Sequence, residues 1–120
     1  MTLVGTVDRP ALITHGGSDD HTEALQSYSA QAIAWLRDQK ICGFIFKARS
    51  PSCGLGDAAV YDQPMWKDPT PSAMTDGLFA RAVREAFPGL PVASEDQLES
   101  AEQRLDFIRR AQQYSVGRGD

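Results

Sequence analysis

The sequence predicts one α/β domain over residues 1–120, a small, mainly parallel sheet flanked by helices. Three observations carry this expectation. Stretches of helical and strand periodicity alternate in the order helix, strand, strand, helix, strand, helix, which favours parallel strands joined by helical crossovers. A mostly apolar run, Ile41-Cys42-Gly43-Phe44-Ile45-Phe46, follows the first helical stretch directly and reads as a strand covered on both faces. No repeat, low-complexity tract or charge block divides the 120 residues, a length that buries roughly two-thirds of the unfolded surface.

Leu3-Val4-Gly5-Thr6-Val7 adds an edge strand. Asp20 or Thr22 then caps a helix whose Ala24, Leu25, Tyr28, Ala32, Trp35 and Leu36 recur at helical spacing, with an end near Lys40. After the 41–46 strand, Ala48 to Gly56 breaks regularity, and Ala58-Ala59-Val60-Tyr61 forms a short strand. Prolines 64, 69 and 71 mark Asp62 to Thr75 as a surface loop. Asp76 caps a second helix carrying Leu78, Phe79, Ala82, Val83 and Phe87, and Pro88-Gly89 stops it. Leu90 to Ala93 gives another strand. Ser94 caps the last helix with Glu95 and Asp96 in its first turn, and Leu98, Ala101, Leu105, Ile108 and Ala111 follow. Trp35 and the Leu78, Phe79, Val83 stripe are assigned to the core.

Twelve Lys and Arg against sixteen Asp and Glu give a net charge of −4, which argues against a surface that neutralises a nucleic-acid polymer. No apolar stretch approaches the roughly 18 residues that cross a bilayer, and Met1 to Arg9 lacks the order of a signal peptide, so no membrane partner and a cytoplasmic location are expected. In a reducing compartment Cys42 and Cys53 are free, buried or metal-bound rather than bridged.

The stretch richest in chemistry is Lys47-Ala48-Arg49-Ser50-Pro51-Ser52-Cys53-Gly54, two cations, two hydroxyls and a thiol just beyond a buried strand, where open α/β sheets bind ligands. Lys47 or Arg49 placed beside Cys53 favours its thiolate. Spacing alone leaves open a ligand or nucleophile at Cys53 and a plain polar turn. Cys42, inside the apolar strand, reads as core. His15 and His21 lack metal-ligand spacing and read as surface or capping residues. Gly16-Gly17-Ser18-Asp19-Asp20 reads as a turn leading to an N-cap rather than an anion site, and Asp96, Glu99 and Glu102 as a solvated helix face.

Several segments resemble, in order, a bacterial family first catalogued as domain of unknown function 523, whose characterised members include thiouracil desulfidases. They are Asp20-His21-Thr22-Glu23, Gly43-Phe44-Ile45-Phe46-Lys47, Ser50-Pro51-Ser52-Cys53-Gly54, Gly77-Leu78-Phe79-Ala80, Phe87-Pro88-Gly89-Leu90-Pro91-Val92 and Asp106-Phe107-Ile108. The resemblance runs from Leu3 to about Tyr114. It implies a Rossmann-like cytoplasmic enzyme that hydrolytically removes sulfur from a thiolated pyrimidine base or nucleotide. It also implies a [4Fe-4S] cluster held by three cysteines with one iron open to the substrate sulfur. Carried over residue by residue, Cys53 is a cluster ligand, and Ser50 and Ser52 are catalytic neighbours that hydrogen-bond substrate, sulfide or cluster sulfur. Asp20, Thr22 and Lys47 are the substrate-binding candidates.

The family's pattern also has an earlier segment with two further motif cysteines, one near the N-terminus and one before a Pro-Glu pair, and neither is in these 120 residues. The expectation is therefore the second part of a desulfidase domain, lacking the family's first segment. Such a chain holds no cluster alone and is inactive until a homo-oligomer or a complementing N-terminal chain completes it. The alternative is a non-catalytic module that binds a small ligand or a partner and has lost the cluster.

Overall fold

One short connection decides the character of the larger sheet. The computed structural model describes residues 1–14, 17–62 and 70–119; His15, Gly16, Pro64 and Pro69 lie outside them. The elements are β1 (Thr2–Gly5), β2 (Pro10–Ile13), α1 (Thr22–Asp38), β3 (Phe44–Phe46), β4 (Ala58–Tyr61), β5 (Ala73–Thr75), α2 (Leu78–Ala86), β6 (Val92–Ser94) and α3 (Ala101–Gly117), with one 3-10 turn at Glu95–Gln97. Four strands form a sheet in the order β2-β1-β4-β5, and β3 pairs with β6 separately.

The α/β class holds, but the sheet is mixed rather than mainly parallel. β1 runs parallel to β4 and β3 to β6, whereas β2 is antiparallel to β1 and β5 to β4. Residues 6–9 join β1 to β2, too short a link for the crossover of a dozen or more residues that a parallel pair needs. With β2 on its outer side, β1 is an interior strand and not the expected edge. β2 itself went unread in the sequence, and β5 occupies part of the stretch expected to be loop.

Each remaining departure has a local cause. β3 begins only at Phe44, so Cys42 precedes it instead of lying within it. Only one face of β3 is covered: Phe46 is buried in the first cluster, whereas Ile45, which alternates to the other face, is 55% exposed. α1 turns Ser29, Leu36 and Ile33 inward, leaving Tyr28 and Trp35 exposed; Trp35 is not core. Ser29 tolerates burial because its hydroxyl donates to the Leu25 carbonyl at 2.8 Å. Ser94 does cap a turn, but that turn ends at Leu98, and α3 starts afresh with a reciprocal Ser100–Gln103 capping box.

Two apolar clusters hold these layers. Leu36, Phe46, Ala80, Val83 and Leu90 form the first, with Cys53 and Phe79 packed on it. Leu3, Leu12, Ala58 and Val60 form the second, with Leu25 and Leu78 against it. α1 and α2 thus each touch both clusters, and the loop after β3 lies where α2 begins. No helix among the described residues is long and apolar enough to cross a membrane.

Candidate functional site

The loop after β3 is built by its own polar groups. Arg49 takes a left-handed conformation, φ +63°, unusual for a residue with a side chain. This turns the chain so that the Ser50 hydroxyl oxygen accepts the backbone N–H groups of Ser52 and Cys53, both at 3.2 Å. Gly54 N–H donates to the Ser50 carbonyl at 2.8 Å. Ser50 Oγ and Ser52 Oγ are 3.0 Å apart, and Ser52 Oγ donates to Cys53 Sγ at 3.6 Å. One proton arrangement satisfies every contact: Ser50 donates to Ser52, and Ser52 donates to the sulfur.

α2 then locks this loop in place. Its N-terminal N–H groups would otherwise lack partners. Gly77 donates to the Gly54 carbonyl at 2.8 Å, Leu78 to that of Pro51 at 3.0 Å and Ala80 to that of Ser52 at 2.9 Å. With those donors taken by the loop, Asp76 has no cap to make and the N-cap position falls on Gly77. Asp76 instead accepts from Gly56 N–H at 2.8 Å and pairs with Arg84 at 2.9 Å. The helix approaches so closely that a Cβ on Gly77 would lie 2.3 Å from the Ser52 carbonyl carbon, and one on Gly54 2.7 Å from Asp57 Oδ1.

The other expected site residues are dispersed. Lys47 points toward Glu95 at 3.9 Å with its side chain 78% exposed, and Arg49 pairs with Asp96 at 3.3 Å. Both cations therefore face the 3-10 turn after β6 rather than the thiol. Glu95 also accepts Ala48 N–H at 2.6 Å, tying that turn to the start of the loop. Asp20 and Thr22 fasten β2 to α1: Thr22 Oγ1 accepts Leu12 N–H at 2.8 Å, and Asp20 Oδ1 accepts Thr22 N–H at 2.9 Å. They line a groove shared with Arg9, Gln26 and Arg81. Pro51 and Ser52 instead line a smaller groove of about 380 Å³ with Leu12, Ala24, Leu25 and His21. His21 Nε2 is 3.1 Å from Thr14 Oγ1.

Hydrogen bonds from the Thr22 hydroxyl, and then from its backbone N–H, hold the Asp20 carboxyl below its ordinary pKa of 3.8. A lowered folded-state pKa gives stability that is present above 3.8 and lost as pH falls through the folded value. Asp20→Asn should therefore be less stable than the parent at neutral pH, with the gap closing in acid. Urea unfolding on both sides of 3.8 checks this. Ser50→Ala strands the N–H groups of Ser52 and Cys53 and should cost roughly 1 kcal/mol, as losing a capping hydroxyl does. Ser50→Thr should recover part of that loss in the same assay.

The donor set does not by itself fit a cubane cluster. The chain has two cysteines, and no group of three or more His, Cys, Asp or Glu gathers among the described residues. Cys42 lies apart from the loop, beside Phe107, Ile108 and Val116 of α3. Sequence reasoning quoted Gly77 only within a family segment and Glu95 only as a first-turn carboxylate, and it missed Asp57 altogether. The Asp76-Gly77 pair signals a helix start, but Asp outranks Gly as a cap, so it pointed to Asp76 rather than to Gly77. Nothing local signalled Asp57, whose Oδ1 is buried without a hydrogen-bond partner among the described residues. That orphaned acceptor calls for a proton donor, which neither cluster sulfur nor iron supplies.

A family model described as 2-thiouracil desulfurase matches residues 1–95, from β1 to the first residue of the 3-10 turn. No curated protein and no solved structure matches the chain.

Proposed function

The chain belongs to the 2-thiouracil desulfurase family, and on that premise we propose that its Ser50–Gly54 loop handles the sulfur of a thiolated pyrimidine, base or nucleotide. One observation carries this reading: the hydrogen-bond chain from Ser50 through Ser52 to Cys53, on a loop fastened by three carbonyls to the start of α2. Beside it lies a groove of about 380 Å³ with mostly apolar walls, a size suited to a single small ring.

The overall reaction is hydrolytic: thiocarbonyl and water become carbonyl and hydrogen sulfide, with no change of oxidation state. In our reading Cys53 is a metal ligand and Ser52 supplies its sulfur with a hydrogen-bond donor. Ser50 holds both in register. Leu12 and Leu25 contact the ring, and His21 closes the polar side of the groove. Asp20 and Thr22 belong to substrate binding by fixing β2 against α1, so setting His21 between them. Lys47 is the contact for a charged substituent, since its ammonium is exposed and its pairing with Glu95 is long.

A [4Fe-4S] centre needs more thiolates than this chain has. The remaining ligands are proposed to come from outside these 120 residues, and the chain by itself is expected to be inactive, in a cytoplasmic setting where thiols stay reduced. Anaerobic reconstitution with iron and sulfide, followed by iron and acid-labile sulfide analysis, tests this. The chain alone should retain no stoichiometric cluster. Supplying the family segment with the two remaining motif cysteines, by fusion or as a second chain, should create one. Thiouracil binding without any cluster, even in the completed protein, would favour the non-catalytic module instead.

A further inference from the structure

α3 has two apolar faces and the body uses one. Phe107 is buried and Tyr114 packs on the first cluster, one heptad apart on the side facing the fold. Leu105, Ile108 and Val116 fall at i, i+3 and i+11 on a different side, with Gln112 between them, and are 60%, 52% and 74% exposed. Ile108 and Val116 border an apolar groove with Cys42 and Ala111. Leu105 and Ile108, one turn apart on this side, are an exposed apolar pair of the kind a partner covers. Leu105, Ile108 and Val116 themselves lie beyond the matched residues 1–95.

The charges beside Leu105 and Ile108 say what covers that pair. Glu102 and Arg109 flank the same edge of the pair, two helical turns apart. Among the described residues neither takes part in an ion pair. When two identical helices pack antiparallel about a two-fold axis, the same edge of each meets the other. Glu102 then falls opposite Arg109 of the second copy and the reverse, whereas in a parallel pair this edge of one helix faces the other edge of its partner and the two charges do not meet. The axis implied by that pairing passes at Leu105, which puts Leu105 and Ile108 at the centre of the contact.

We propose that α3 is a self-association surface, pairing antiparallel with α3 of a second copy of this chain through Leu105 and Ile108, with reciprocal Glu102–Arg109 pairs at its edge. The interface is isologous and closes at a dimer. It does not depend on the desulfidase reading.

Sedimentation velocity from low to high micromolar concentration tests the proposal. A reversible monomer–dimer equilibrium is expected. Leu105→Glu combined with Ile108→Glu should weaken it at least about tenfold, the scale of lost central apolar contacts, with unchanged circular dichroism because both side chains are exposed. Glu102→Arg alone should weaken dimerisation, and Glu102→Arg with Arg109→Glu should restore it, since reversed charges still complement across a two-fold. A monomer at every concentration would overturn the proposal. So would a dimer indifferent to the Leu105 and Ile108 changes, or a double charge reversal no tighter than the single one.

Discussion

Replacing Gly77 with alanine should destabilise the protein by roughly 2–3 kcal/mol, the scale of a backbone forced apart by an added methyl group. Gly77 has φ −61°, an ordinary value for any residue, so the cost is one of space and not of conformation. The new Cβ would stand 2.3 Å from the Ser52 carbonyl carbon and 2.5 Å from the Cys53 nitrogen, and both are backbone atoms that cannot swing aside. Either α2 backs away, losing the bonds from Gly77, Leu78 and Ala80 to the loop, or the loop moves and carries Cys53 with it. Gly117→Ala is the internal comparison. That position is helical, and a Cβ there would meet nothing within 4 Å, so alanine should be neutral or slightly stabilising. Urea denaturation of the three proteins measures both effects, and equal stability of Gly77→Ala and the parent would remove the proposed interlock.

The same interlock explains what could be read from the sequence. Periodicity found α1, β4 and α2 because each has a face that meets a cluster: Val60 and Ala58 alternate inward, and Ala80 and Val83 sit one turn apart. It assigned the wrong face of α1 because a buried Ser29 is invisible as an apolar position, whereas the exposed Trp35 looks like one. β2 opens on Pro10 and β5 lies at the end of the proline-marked stretch, signals that argue against a strand, and their antiparallel pairing is set by the strands beside them. At the site, Ser50, Ser52 and Cys53 were legible as a motif and adjoin one another in the fold. The partners of Lys47 and Arg49 were not, for Glu95 and Asp96 lie almost fifty residues away and reach the loop only through the β3–β6 pairing.

Cys53→Ala has the largest effect expected on function. Its sulfur is the one atom on which the loop's hydroxyl chain converges. Removing it takes away the proposed ligand while leaving the carbonyls that bind α2 untouched. Cys53 is half-buried against the first cluster, so the change should cost about 1 kcal/mol of stability, in the ordinary range for one side chain. Ser52→Ala should keep the proposed ligand but deprive its sulfur of a hydrogen bond, with a smaller loss of activity.

The decisive measurement is sulfide release from thiouracil under anaerobic conditions, by the protein completed with the two remaining motif cysteines and by its Cys53→Ala variant at matched folded concentration. Steady release is expected from the first and none above background from the second, with both showing the same cooperative unfolding. Undiminished release from Cys53→Ala would refute the ligand role of this cysteine, and equal release from the 120-residue chain alone would refute the need for the remaining thiolates.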